Sequence, residues 1–168
     1  MFAKTTKIKP NLKTIMVTNP IIYCAVGTKE SSSNGHWLIP DHSLHPELYK
    51  LAKEIRSLSP YRSFRKDHKI VKEQKPEDTA KMFNSILSNL EEHTKKLNTE
   101  SFTVTKGKEG YSTAILETED KTDRVGVCLG YLSVMLSISN DIYMKDPLSP
   151  VICKIGTEVA LVVMPHRI

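Results

Sequence analysis

The sequence has few cysteines, a single tryptophan and no long apolar run, and each shortage excludes a class of protein. Cys24, Cys128 and Cys153 lie far apart, so the chain contains no C-x-x-C pair of the kind used for metal or redox chemistry. All three lie among apolar residues, which predicts buried, reduced thiols and an intracellular, reducing location. The longest uncharged run, residues 125–140, is shorter than the ~20 apolar residues of a membrane-spanning helix.

Motifs that identify common enzymes and cofactor sites are also absent. The chain has no G-x-S-x-G element, and residues 27–35 contain glycines, hydroxyls and Lys29 without the G-x-x-x-x-G-K-[ST] order of a phosphate-binding loop. Lysines interrupt the N-terminus where a signal peptide would have its apolar core. We therefore expect no cofactor and no metal, and we rank binding ahead of catalysis.

The residues that are present indicate a globular α+β protein. The chain has 168 residues, of which 39% are hydrophobic and 26% are charged, values typical of one folded domain. Predicted elements follow the order β, α, α and then mostly β, without the strict β-α alternation of a parallel nucleotide-binding sheet. We predict a flexible basic arm at 1–13 and a single domain at 14–168, mainly an antiparallel sheet with two or three helices packed on it.

The first half of that domain contains one β-rich segment and one long polar segment. Residues 14–26 are rich in β-formers, and Pro20 predicts either an edge strand or two short strands. Glycines and serines in residues 27–45 predict a long loop, which the buried side chain of Trp37 would hold against the core.

Two helices are predicted in the middle of the chain. Residues 46–58 begin with Pro46 and carry apolar side chains at helical spacing. Residues 76–97 repeat the pattern, and the expected buried face consists of Phe83, Ile86, Leu87, Leu90 and Leu97. Residues 59–75 are interpreted as a basic connector between the two helices.

The second half alternates with a period of two, as strands do. A hairpin is predicted from residues 101–106 and 111–119, and a terminal hairpin from residues 151–155 and 159–164. Residues 124–140 fit two patterns. A strand near 124–129 followed by a buried helix is favoured over a continuous strand.

Charge is distributed unevenly along the chain. Residues 1–75 hold 14 Lys/Arg against 6 Asp/Glu, whereas residues 76–168 hold 10 against 13, so the net charge of +5 comes entirely from the N-terminal half. Such asymmetry favours a polyanionic partner, either nucleic acid or an anionic membrane surface. The simpler interpretation is a solvated face that maintains solubility.

The strongest candidate for that partner's site lies between residues 50 and 75, here called the basic segment. Cations neutralise backbone phosphates and aromatic faces stack on unpaired bases, so the mixture favours RNA or single strands. In the alternative interpretation, the two aromatic residues are core positions. The candidate binding residues are Lys50, Lys53, Arg56, Tyr61, Arg62, Phe64, Arg65, Lys66, Lys69, Lys72 and Lys75.

A second hypothesis is a small hydrolase or phosphate-ester-processing enzyme that uses the histidine-containing loop 36–45. His36, His42 and His45 are the candidate catalytic residues, since imidazole titrates near neutral pH. H-x-x-H spacing could also place two rings on one metal, with Asp41 as a further ligand. The segment lacks the glutamate of H-E-x-x-H, and prolines interrupt it, so polar loop residues remain the simpler interpretation.

A third hypothesis is a protein–protein inhibitor or assembly module. The apolar terminal hairpin could pair edge to edge with another copy, giving a homo-oligomer. The leading hypothesis is a non-catalytic binding protein, and a small viral or accessory protein fits that class.

Overall fold

The described residues form two antiparallel sheets, in a computed structural model that describes residues 21–26, 29–33, 35–45, 62–64, 70–73, 81, 84–107 and 111–168. For residues 21–26, 29–30, 62–64 and 70–73 the description is of the backbone. The predictions for residues 1–13 and 46–58 lie outside the described residues. The strands are β1 (Ile21–Val26), β2 (Lys29–Ser33), β3 (Trp37–Ile39), β4 (Arg62–Phe64), β5 (Ile70–Glu73), β6 (Lys95–Lys96), β7 (Thr103–Lys106), β8 (Ser112–Glu117), β9 (Arg124–Cys128), β10 (Ile142–Met144), β11 (Val151–Ile155) and β12 (Glu158–Val163).

The large sheet has the strand order β5-β4-β1-β2-β3-β12-β11-β10-β6, and the small sheet has the order β7-β8-β9. Every described strand pair is antiparallel. Helix α1 (Leu129–Ile138) follows β9 directly, and residues 84–87 are also helical. The predicted α+β class, antiparallel sheets with helices packed on them, is confirmed.

Apolar residues alternate between the two faces of the large sheet because successive strand residues point in opposite directions. In β11, Val151 and Cys153 belong to one buried cluster and Ile152 to another. β12 repeats this, with Leu161 and Val163 in the first cluster and Val162 in the second. At β11 and β12 the sheet is therefore covered on both faces.

Helix α1 covers the first of those faces and also contacts the small sheet through β8 and β9. Leu132, Val134 and Met135 are fully buried, as expected of a helix with neighbours on several sides. Its serines lie at less buried positions, and the hydroxyls of Ser133 and Ser137 donate to the carbonyl oxygens of Leu129 and Val134. The helical segment that includes Ile86 and Leu87 packs on the opposite face of the large sheet.

Most sequence predictions for the second half are confirmed. β7 and β8 form the predicted hairpin, β11 and β12 form the terminal hairpin, and a strand followed by a buried helix occupies residues 124–138. Trp37 is buried as expected. β10 is a strand that the sequence analysis did not predict.

The predicted loop at 27–45 is wrong, because it contains β2, β3 and a short 3-10 turn at His42–Leu44. Gly35, with φ 88°, lies in the turn that joins β2 to β3. The Asn34-Gly35 pair is a hairpin signal that the abundance of serine concealed. The histidine-containing loop is therefore a strand followed by a single helical turn.

The basic connector is also corrected, since β4 and β5 within it form an antiparallel pair. β4 pairs on its other side with β1, so β1 has a strand on both sides and the edge-strand interpretation of 14–26 is wrong for residues 21–26. The part of the segment before residue 21, including Pro20, lies outside the described residues.

The predicted helix at 76–97 is too long. Residues 88 and 89 form a turn, Leu90–Glu92 a 3-10 turn, and Lys95–Lys96 a strand that pairs with β10. Leu97 therefore belongs to the cluster around α1, whereas Leu90 belongs to the cluster on the opposite face. The pairing of Lys95–Lys96 with a distant strand is a contact that local spacing does not reveal.

Candidate functional site

The basic segment contributes a β-hairpin to one end of the large sheet. Arg62 lies opposite Glu73, Ser63 opposite Lys72 and Phe64 opposite Ile70, with an irregularity between Ser63 and Phe64. β5 is the last strand of the described sheet on that side. Arg62, Phe64 and Lys72 are thus held in two neighbouring strands, and the remaining candidates lie outside the described residues: Lys50, Lys53, Arg56, Tyr61, Arg65, Lys66, Lys69 and Lys75.

Several cations of the C-terminal half are neutralised by carboxylates. Lys95 donates to Asp123 and Lys145 to Glu92, and the Lys96 ammonium lies 3.2 Å from Asp141. In each pair, the hydrogen bond to the carboxylate raises the pKa of the lysine, and the attraction between the charges adds to that shift. These contacts lie at the exposed or half-exposed surface, where ion pairs contribute little stability. Their importance here is that they reduce the positive potential of this half.

The three candidate histidines occupy different environments. His36 is exposed, and its carbonyl oxygen accepts a hydrogen bond from Met164 N at 2.8 Å. His42 and His45 are only 4% and 2% exposed. His45 Nε2 lies 2.7 Å from the carbonyl oxygen of Ala160, so this nitrogen carries the proton that it donates. The contacts of His45 join the 3-10 turn to β12, which is a structural role.

Ser32 and His42 form the one contact in this region that resembles a catalytic pair. Ser32 Oγ lies 2.7 Å from His42 Nε2, within the distance at which a base activates a nucleophile. Ser32 is completely buried in β2, however, and Asp41 uses its carboxylate to accept from Ser43 N and Oγ. A substrate would have no path to the hydroxyl, so the pair satisfies two buried polar groups and links β2 to the turn.

Sequence analysis assigned no role to His93, which is also buried. Its Nδ1 lies 3.1 Å from the carbonyl oxygen of Asn89, and its Nε2 has no hydrogen-bond partner among the described residues. No group of three or more His, Cys, Asp or Glu side chains in the described ranges could hold a metal ion. None of the helices described is both long and apolar enough to cross a membrane.

A groove of about 380 Å³ lies on the outer side of the small sheet. Apolar side chains of Phe102 and Ile115 line it together with two side chains of opposite charge, Glu117 and Arg124, which are cross-strand neighbours. The lining residues include neither histidine nor cysteine. The sequence gives no sign of this groove, because its walls come from the segment before β7, the end of β8 and the start of β9, which meet only when the small sheet forms.

A scan against protein-family models, a search of the curated proteins and a search of the solved structures each gave no match for this chain.

Proposed function

We propose that this protein is a non-catalytic binding protein whose basic N-terminal half contacts single-stranded nucleic acid, with RNA favoured. The observation that carries the proposal is the separation of charge: residues 1–75 have a net charge of +8 and residues 76–168 a net charge of −3. Three lysines of the second half are additionally paired with carboxylates. A polyanion is therefore attracted to one part of the chain rather than to the whole surface.

The aromatic residues of the basic segment favour a single strand over a duplex. Tyr61 and Phe64 alternate with cations, and base–aromatic stacking adds about 1–3 kcal/mol per base when the bases are unpaired. Trp37 is excluded as a stacking surface because it is buried in the core. In the hairpin β4–β5, Glu73 lies opposite Arg62, whereas Lys72 lies opposite an uncharged serine, which supports Lys72 as a phosphate contact.

The test is the salt dependence of binding to a labelled oligouridylate, measured by fluorescence anisotropy. Each phosphate contact contributes about 0.7 to the slope of log K against log salt for a single strand. Replacing Lys66, Lys69 and Lys72 together by glutamine should therefore flatten the slope by about 2. The matched control replaces the exposed Lys121, Arg124 and Arg167 by glutamine, which removes the same charge from the other half and should leave the slope unchanged.

Three results would contradict the proposal. The first is no binding at low salt. A second is an equal change of slope in both triple variants, which would mean that the oligonucleotide responds to net charge alone. Binding to vesicles that contain anionic lipid without binding to the oligonucleotide would instead identify a membrane surface as the partner.

A further inference from the structure

Among the described strands, β7 has an unpaired outer edge. β7 is the last strand of the small sheet, and within the described residues no strand pairs with its outer side. All four of its residues, Thr103 to Lys106, are exposed. The terminal hairpin, by contrast, cannot offer a free edge, because β11 also pairs with β10 and β12 also pairs with β3. An oligomer that uses edge pairing would therefore need another strand.

The hydrogen bonds that flank β7 establish which of its backbone groups point outwards. Gly107 N donates to Tyr111 O at 2.7 Å, one step beyond the Lys106–Ser112 pair. Backbone groups alternate in direction along a strand, so residues 103 and 105 also face β8, and Val104 and Lys106 face away from it. On the other side of β8, Thr118 N donates to Asp123 O. The even-numbered residues of β8 therefore face β9 and its odd-numbered residues face β7, which agrees with the directions assigned to β7.

Val104 also exposes apolar surface at this edge. It lies opposite Ala114, which is fully buried in the cluster around α1, yet Val104 itself is 38% exposed. The apolar layer between α1 and the small sheet therefore ends at a valine that no described residue covers completely. Another strand added beside β7 would bury that valine and pair its outward N–H and C=O groups.

We propose that β7 pairs antiparallel with β7 of a second copy of this chain, with Val104 opposite Val104 across a two-fold axis. This register is self-complementary. It places Thr103 opposite Thr105, and Thr–Thr pairs are favourable across strands. It also places Lys106 opposite Phe102 and diagonal to the exposed Glu100 of the other copy, so opposite charges meet at both ends.

Lys106 disfavours the registers in which the two strands slide towards their C-terminal ends. Sliding the two strands by one pair would place the ammonium opposite Val104, and a further step would bring two lysines together. The contact is short, and interfaces of such small area are weak, so the dimer should form only at high protein concentration. This inference is independent of the proposed nucleic-acid site, which belongs to the other half of the chain.

Sedimentation velocity over a range of concentrations up to about 1 mM tests the dimer. Val104→Lys and Val104→Glu each place like charges together at the two-fold axis, so each variant alone should remain monomeric. A 1:1 mixture of the two should associate at least as strongly as the unmodified chain. Leu148→Lys, at a residue that is 76% exposed elsewhere on the surface, is the control and should not change association.

Val104→Pro provides a second test that does not depend on charge. Proline removes the outward N–H of residue 104 and none of the bonds from β7 to β8, so association should weaken while the melting temperature of the dilute protein is retained. The proposal is overturned if the unmodified chain is monomeric at every concentration, or if the lysine and glutamate variants associate as it does. Failure of their mixture to associate overturns the Val104–Val104 register.

Discussion

At the scale of single residues, buried hydroxyl groups are the main reason why the sequence was misinterpreted. Ser31 and Ser33 donate to the carbonyl oxygens of Pro40 and Trp37, each at 2.6 Å, and Ser32 contacts His42. A run of three serines is typical of a loop because an unpaired buried hydroxyl is costly. Here each hydroxyl finds a partner close by, so β2 remains a strand.

The cysteines lead to a prediction about reactivity. Burial raises the pKa of the Cys153 thiol to about 12, and this thiol lies 3.5 Å from the carbonyl oxygen of Met135. Compared with a thiol of the ordinary pKa of 9.0, Cys153 forms about 1000-fold less thiolate at neutral pH. N-ethylmaleimide should therefore label the half-buried Cys128 well before Cys153, as measured by peptide mass spectrometry.

In guanidinium chloride, where burial is lost, the two thiols should react at similar rates. Labelling of Cys153 in the native protein as fast as Cys128 would show that the packing around β11 opens readily. Labelling of Cys24 is monitored in a separate peptide, so it does not affect the comparison of Cys128 with Cys153.

Asp120 leads to a prediction about pH. Hydrogen bonds from the hydroxyls of Thr118 and Thr122 lower the pKa of this carboxyl from 3.8 to about 2. Because the folded value lies below the unfolded one, the carboxylate contributes stability above about pH 4, and this contribution is lost as the pH falls towards 2. At neutral pH, Asp120→Asn should therefore have a lower urea midpoint than the unmodified chain. The two midpoints should approach each other only in acid.

The Asp120 titration itself can be followed by NMR. Thr122→Val removes one donor and should move the midpoint upwards from about 2, whereas Thr122→Ser keeps a hydroxyl and should leave it low. A midpoint close to 3.8 in the unmodified chain would rule out the proposed hydrogen-bond network.

At the scale of elements, the C-terminal tail connects the two sheets. Met164 N donates to His36 O next to β3, and His166 N donates to Gly126 O in β9, each at 2.8 Å. His166 Nδ1 also lies 2.9 Å from the hydroxyl of Thr113 in β8. The tail thus pairs with the small sheet on the side opposite β7.

Gly126 allows this close approach, which predicts the effect of a single methyl group. A Cβ at residue 126 would collide with the side chain of Ile168 and lie 3.1 Å from both the His166 carbonyl oxygen and the Thr113 methyl carbon. Gly126→Ala should therefore displace the tail and lower the free energy of unfolding by about 1–3 kcal/mol, measured by urea denaturation.

Gly130→Ala is the matched control. An added Cβ there meets only Cys128 Sγ, at 3.9 Å, and alanine favours the helix by up to about 1 kcal/mol. This variant should be at least as stable as the unmodified chain. Removing Ile168 should reduce the penalty of Gly126→Ala, and an unchanged penalty would mean that the tail is not its cause.

Elements stabilised by near neighbours in the chain were predicted well. Strands β7 and β8 and the terminal pair β11 and β12 join residues that are close in sequence, and their alternating side chains and turn residues are visible locally. β6 is a different case, because it is only two residues long and its partner β10 lies far along the chain. β10 has a near partner in β11, but it is only three residues long. Such short strands have too few residues to produce a periodic pattern.

At the scale of the whole molecule, the layers explain why α1 is helical. Residues 129–138 are uncharged and mostly apolar, and the structure places them between the small sheet and one face of the large sheet. The sequence left strand and helix open for this run. Contacts with strands from both sheets decide it, and none of these contacts follows from local spacing.

Some candidate functional sites can be defined from the sequence alone, whereas others depend on the fold. Charge separation is a sum over the sequence and does not depend on how the chain folds, and the oligouridylate experiment tests it at the level of the whole chain. The histidine hypothesis depended on two of the three histidine side chains converging, and burial of His42 and His45 against separate partners could be learned only from the fold. The groove beside Phe102 and Arg124 likewise had no local signal.

By itself, then, the sequence determined the α+β class, the local hairpins and the segregation of charge, because composition and period-two or helical spacing are properties of neighbouring residues. Tertiary structure alone decided where the strands of the large sheet meet, which serines and histidines become buried, and which strand edge stays open. Those outcomes depend on contacts between residues that are far apart in the chain, and the free energy of such contacts is gained only when the layers come together.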